Sequence, residues 1–279
     1  MLLSGRSKIL LDNIDLKSNQ AIVLVNDDIE YLKSVYKDVA SRALEISVDK
    51  LRDYPYIIKI ETTKSSLGVD EVRNLESKLS LAISSKKLIN RIVIIEQGNI
   101  ITVSAQQSLL KIIEETPKGT LIIILISSLN KLLPTIRSRT RNIEILKPNI
   151  DEAVSYYSNF DKKEVEQNYL ISEGNPLVLD ALLNKTNIAV NDQLKLAKQI
   201  VSMEKIDRIS LINDLIEDKI KLIETINIVK QMAKIGINSD NKAQAKHWMI
   251  ILEESIKLID RLTANSYNKL ALLDFLLAF

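Results

Sequence analysis

No cysteine occurs in the 279 residues, which excludes disulfides, thiolate nucleophiles and cysteine-ligated zinc. A single histidine, His247, excludes a histidine-based zinc cluster and leaves one residue around which a Ser-His-Asp triad could be built. Lying beside Trp248 in a helical pattern, it reads as a structural or surface residue. Aromatic side chains make up only 4%, so the hydrophobic mass is aliphatic, mainly Ile and Leu, and suits helix packing and buried strands. Neither sign of charge dominates: 38 Lys and Arg stand against 36 Asp and Glu, a formal net charge of +2. Binding nucleic acid by bulk charge is thereby excluded, and any DNA contact has to be local. Long hydrophobic runs are missing too. The longest inside the chain, Leu121 to Ile126, is far short of the ~20 residues that cross a bilayer. The start, Met1 to Lys8, lacks the apolar core of a signal peptide, so a cytoplasmic protein without a membrane partner is expected. With 46% hydrophobic and 27% charged residues, the chain can fill a sizeable core divided over two or three domains.

Up to about residue 147, short β-branched runs alternate with longer amphipathic stretches. The runs are Ala21 to Val25, Tyr56 to Ile60, Arg91 to Ile95, Leu121 to Ile126 and Asn142 to Leu146. Continuous apolar runs of that length separated by helical patterns predict buried strands of a parallel sheet with helices on both faces. The crossovers include Asp28 to Ile46, Val69 to Ile83 and Ser104 to Glu115, the last with Leu109, Ile112 and Ile113 at helical spacing. Pro148 follows the last strand, and beyond it the pattern is helical. A short section from Asp151 to about Asn184 carries the break Glu173-Gly174-Asn175-Pro176, where Gly can close one helix and Pro open the next. From about Asn187 long amphipathic helices follow, and Leu270 to Phe279 hold one charge, Asp274. A helix apolar nearly all round has to bury more than one face, in its own bundle or against another subunit. Three parts are expected: an α/β domain at 1–147, a small helical domain at 148–186 and an all-α domain at 187–279.

A sheet of this kind invites a nucleotide at the loop after its first strand, where backbone N–H groups and a helix N-terminus hold phosphates. That loop reads Asn26-Asp27-Asp28-Ile29-Glu30, with no Gly between Gly5 and Gly68. A phosphate cradle needs Gly for close backbone approach, Lys for the outer phosphates and Ser or Thr for Mg²⁺, and none is placed correctly. Asp27 and Asp28 would repel a polyphosphate and are ordinary caps at a helix start. The third strand ends Ile94-Ile95-Glu96-Gln97-Gly98, where a nucleotide hydrolase places an Asp for Mg²⁺ and a Glu to polarise water. Glu96 stands in the wrong register and reads as a solvated strand-end charge, and Gln97 cannot act as a base.

The stretch Ser104-Ala105-Gln106-Gln107-Ser108-Leu109-Leu110-Lys111-Ile112-Ile113-Glu114-Glu115-Thr116-Pro117, with Leu132-Leu133-Pro134-Thr135-Ile136-Arg137-Ser138-Arg139-Thr140 after the next strand, resembles the clamp-loader branch of the AAA+ superfamily. Within that branch it resembles the delta-prime type of DNA polymerase III subunit, in which a helix A-N-A-L-L-K-x-L-E-E-P precedes the sensor strand and L-x-T-I-x-S-R-C follows it. Ala264-Asn265-Ser266-Tyr267-Asn268-Lys269-Leu270-Ala271-Leu272 is similar to the closing N-x-N-x-x-L-A-L helix. The chain departs from the pattern where motor subunits handle nucleotide. The four-Cys zinc module is absent, the sensor-strand Thr corresponds to Ile126, and the lid Arg corresponds to Leu177.

The resemblance implies an AAA+-like α/β domain with a degenerate nucleotide site, a helical lid and a helical collar. It makes Arg139, supported by Ser138, an arginine finger acting in trans on a neighbour's ATP, with no ATPase activity and no cofactor of the chain's own. The implied partners are clamp-loader ATPase subunits and a delta-type subunit, with the sliding clamp and primed DNA reached through the complex. Leu270, Leu273, Phe275 and Leu277 are the candidate subunit-interface residues. On spacing alone, Arg139 reads as an ordinary solvated helix-end cation among Lys131, Arg137 and Arg141; the finger is what the resemblance implies. The alternatives are an ATP-hydrolysing motor subunit, which requires the missing phosphate loop, and a stand-alone nucleic-acid scaffold using the Lys131 to Arg141 cluster.

Overall fold

The computed structural model describes the chain except residues 17–19, 61, 63–64, 81–82, 84–86, 239–240 and 264–268, and the side chains at 188–189, 214 and 263. It divides into two compact units, Met1–Pro148 and Asn149–Phe279.

Unit 1 runs α1 (Gly5–Asp12), β1 (Ala21–Val25), α2 (Ile29–Leu44), β2 (Ile57–Ile60), α3 (Val69–Leu79), β3 (Arg91–Ile95), α4 (Val103–Glu114), β4 (Thr120–Ile126), α5 (Pro134–Arg139) and β5 (Arg141–Glu144). The five strands form one sheet in the order β2-β3-β4-β1-β5. Every pairing is parallel, with Val23 opposite Ile124, Val93 opposite Ile122 and Ile58 opposite Val93. The expected α/β class is what forms, for the expected reason: β1, β3 and β4 are buried along their whole length, and a strand covered on both faces needs no polar alternation.

Successive side chains feed opposite layers. Ile22, Leu24, Ile92, Ile94, Ile123 and Leu125 pack with α2 residues such as Tyr31, Leu32 and Val39. Val23, Val93, Ile95, Ile122, Ile124 and Ile126 pack with Val72 and Leu75 of α3, Leu109 and Ile112 of α4 and Ile136 of α5. Full burial of each such side chain is worth ~1.5–3 kcal/mol, so sheet and helices fix one another. Two boundaries differ from the sequence reading. The last strand is Arg141–Glu144 rather than 142–146, and α3 ends at Leu79 rather than 83, with Ser80 as its C-cap and Ser80 N–H donating to the Glu76 carbonyl.

Unit 2 holds helices and no strand among its described residues: α6 (Ile150–Tyr156), α7 (Lys162–Ile171), α8 (Pro176–Asn184), α9 (Ile188–Ser202), α10 (Ile212–Ile216), α11 (Lys219–Gly236), α12 (Lys242–Thr263) and α13 (Lys269–Leu277). The break at 173–176 is built as the sequence suggests. Glu173 and Gly174 take left-handed φ values of 51° and 70°, Gly174 N–H donates to the Tyr169 carbonyl, and Pro176 opens α8. The helices before and after residue 187 share this unit. Gln231 of α11 donates to Glu173, and Lys234 lies 3.5 Å from the same carboxylate. Leu222, Ile226, Val229, Ile251, Leu258, Leu272, Phe275 and Leu276 form the core. Among the described residues no helix is long and apolar enough to cross a membrane.

Candidate functional site

The loop after β1 is closed by its own side chains. Asn26 Nδ2 donates to the Ile145 carbonyl at 2.6 Å, and its Oδ1 accepts from Asp28 N–H at 2.7 Å. Asp28 Oδ1 accepts from Tyr31 N–H at 2.9 Å. The N-terminal amide that could meet a phosphate is therefore held by a carboxylate whose charge opposes an incoming anion. Across the sheet, Glu96 accepts from Tyr36 Oη at 3.0 Å and lies 3.5 Å from Lys59 Nζ and 3.8 Å from Lys33 Nζ. Its side chain is only 14% exposed, which corrects the reading of a solvated strand-end charge. Glu96 joins β3 to α2 and β2 through ions and a phenol. Gln97 pairs with the Thr62 backbone, accepting from its N–H at 3.0 Å and donating to its carbonyl at 3.3 Å.

The segment that carries Arg139 is fixed from α4. Thr102 caps α4, accepting from Ala105 N–H, and Ala105, Leu109, Ile112 and Ile113 press its apolar face into the core. Gln106 lies on that same buried face, 3% exposed. Its Nε2 donates to the carbonyls of Ile101 (3.2 Å) and Lys131 (2.9 Å), and its Oε1 accepts from Leu133 N–H at 2.7 Å. Leu133 is the residue before Pro134, where α5 begins, so one buried amide sets where α5 starts. Fully buried Ile136 then sets which way the helix faces. At its far end, Asn142 Nδ2 donates to the Arg137 carbonyl at 2.8 Å and Thr140 Oγ1 to the Ile136 carbonyl at 3.0 Å.

Arg139 is the last residue of α5, and its side chain is 45% exposed. Nε donates to Glu114 Oε1 at the end of α4, and Nη1 approaches the Thr135 carbonyl at 3.3 Å and Ser138 Oγ at 3.4 Å. Ser138 itself donates to the Thr135 carbonyl at 3.0 Å. A cation at a helix C-terminus is favoured by the dipole, and the half-exposed fork can still donate outward. Gln106 and Glu114 were given no role from sequence. A polar side chain at a core-facing helical position marks Gln106, whereas Glu114 depends on a tertiary contact that no spacing reveals.

The other candidate positions lie in unit 2. Leu177, in the first turn of α8, is 37% exposed, and Asn175 caps that turn. Leu270 and Leu277 are exposed at 62% and 39%. Leu273 is partly buried against the core, and Phe275 is fully inside it, packed edge-on to Phe279 with ring centroids 5.3 Å apart. Asn265, Ser266, Tyr267 and Asn268 of the closing motif lie outside the described residues. His247 is exposed on α12, its ring 6.1 Å from that of Phe279.

A five-stranded parallel sheet with flanking helices, followed along the chain by a helical unit, is an AAA+-like fold. Residues 9–149, half of the chain, match the family described as DNA polymerase III, delta subunit, and the chain belongs to that family. Over 75 residues it is 35% identical to the DNA polymerase III subunit gamma/tau of Mycobacterium bovis and of Mycobacterium tuberculosis. That alignment spans 27% of this chain and 13% of those proteins' length. Among solved structures, a gamma subunit-related DNA polymerase III protein of Thermotoga maritima shares the fold, with a TM-score of 0.50 at 16% identity over 98% of this chain and 97% of the other.

Proposed function

We propose that this chain is a delta-prime-type clamp-loader subunit that does not hydrolyse ATP and presents Arg139, with Ser138 beside it, to ATP bound by an adjacent motor subunit. In this reading its partners are the loader's ATPase subunits and a delta-type subunit, and it reaches the sliding clamp and primed DNA through the complex. Residues 1–147 act as the AAA+-like domain, 148–186 as the lid and 187–279 as the collar. The observation that carries the reading is the closed β1–α2 loop, where Asp28 occupies an amide at the helix N-terminus and no Gly or Lys stands in its place, in a chain whose α5 still ends on an exposed Arg. Physically, a guanidinium projecting across a subunit boundary neutralises charge developing on a transferring phosphoryl group, worth ~10³–10⁵ in rate in other systems.

Calorimetric titration of the isolated chain with Mg²⁺-ATP tests the first half. No heat of binding is expected at millimolar ATP. Micromolar, Mg²⁺-dependent binding left unchanged by Asp28→Ala would overturn the reading of this loop.

A further inference from the structure

Glu114 and Glu115 close α4 at the end where the helix dipole is negative, so two carboxylates stand where a cation is favoured. Glu114 is nevertheless held firmly. Thr116 Oγ1 donates to the Ile112 and Ile113 carbonyls at 2.8 and 3.1 Å, Pro117 prevents the helix from continuing, and Lys111 anchors the same turn to Glu76 of α3 at 2.9 Å. The partner of Glu114 is Arg139, and the contact is made through Nε alone. Nη1 is turned toward the Thr135 carbonyl, and among the described residues Nη2 meets no acceptor. With Glu114 taking Nε and the Thr135 carbonyl and Ser138 Oγ facing Nη1, Nη2 is the guanidinium nitrogen left to donate to a phosphate oxygen.

We infer that Glu114 is the positioning residue for Arg139: it accepts from Nε, fixes the plane of the guanidinium and leaves Nη2 to donate to a neighbour's phosphate. The inference rests on the reading of Arg139 as a finger in trans and adds how that finger is aimed. Two effects of Glu114 oppose each other. Its charge partly cancels that of Arg139 toward an incoming phosphate, and its hydrogen bond removes rotamer freedom that binding would otherwise have to remove. Both groups are about half exposed, so water screens the first effect, while the second persists in any solvent.

The test uses the full chain in a reconstituted loader and reads ATP-dependent loading of the clamp onto primed DNA with Arg139→Ala, Glu114→Ala, Glu114→Gln and the Glu114→Ala/Arg139→Ala pair. Glu114→Ala is expected to load roughly five-fold more slowly at saturating ATP with an unchanged KM for ATP. Glu114→Gln, which keeps an acceptor and loses the charge, is expected to restore most of the rate. The double variant is expected to be no slower than Arg139→Ala alone, because Glu114 acts only through Arg139. Wild-type loading by Glu114→Ala, faster loading, or a further five-fold loss on top of Arg139→Ala would each overturn the inference. If Arg139→Ala itself loads normally, the failure lies in the finger reading instead.

Discussion

Asp28 and Arg139 are each placed at a helix end with the sign the dipole favours, and they face different tasks. Asp28 closes a helix start, and Arg139 keeps part of its fork in solvent. A third residue, Tyr157, is buried and donates its phenol to Asp180 Oδ1 at 2.8 Å, while Asn184 donates to the same oxygen at 2.9 Å. Burial first, then the hydrogen bond and charge of Asp180, push this phenol far above its ordinary range. The sign follows from linkage. The unfolded phenol ionises near pH ~10 and the folded one does not, so above that pH the native state holds the extra proton and stability falls as pH rises. Urea unfolding of the wild type is expected to show this fall between about pH 9 and 11. Tyr157→Phe is expected to cost ~1–2 kcal/mol at neutral pH and to make the alkaline fall shallower. It is not expected to abolish that fall, because Tyr54 and Tyr169 are also shifted upward by burial. Identical alkaline slopes in the two proteins would contradict the assignment.

At the scale of elements, α13 shows how an apolar helix divides its surface. Leu272, Phe275 and Leu276 are all buried. Arg208, itself buried, donates to the Leu276 and Phe279 carbonyls and lies over the Phe279 ring at 4.2 Å. Removing the helix would therefore open the core of unit 2 rather than strip away a surface, and substitutions separate the two roles. Phe275→Ala is expected to destabilise unit 2 by ~3–5 kcal/mol in chemical unfolding. The pair Leu270→Asp and Leu277→Asp is expected to leave unfolding within about 1 kcal/mol and to weaken loader assembly in sizing chromatography. Full assembly by that pair would remove these two residues from the proposed interface.

The elements most legible in sequence are those whose identity depends on local apolar content: β1 and β3 begin and end as read, and the other strands agree to within a residue or two. The break at 173–176 was legible for the same reason, since Gly and Pro act on their own backbone. Glu96 was misread because its partners, Tyr36, Lys33 and Lys59, come from other elements and meet it only once the sheet has formed. Gln106 left a trace, a polar side chain on the buried face of α4. Its three backbone partners lie in two loops whose approach no periodicity predicts.

For the molecule as a whole, the family places this chain among DNA polymerase III subunits. In the proposed reading, a subunit that hydrolyses no ATP contributes to turnover through groups presented outward, and Arg139 is the one proposed. The most direct measurement is clamp- and DNA-stimulated ATP hydrolysis by a loader reconstituted with Arg139→Ala. The facing site is expected to lose ~10³-fold or more, read as a partial loss of total turnover because other sites continue. Arg139→Lys is expected not to restore it, since an ammonium lacks the planar fork. Arg137→Ala, the same charge change two residues earlier in α5, is expected to leave turnover unchanged. Equal losses from Arg137→Ala and Arg139→Ala, or full turnover with Arg139→Ala, would contradict the account.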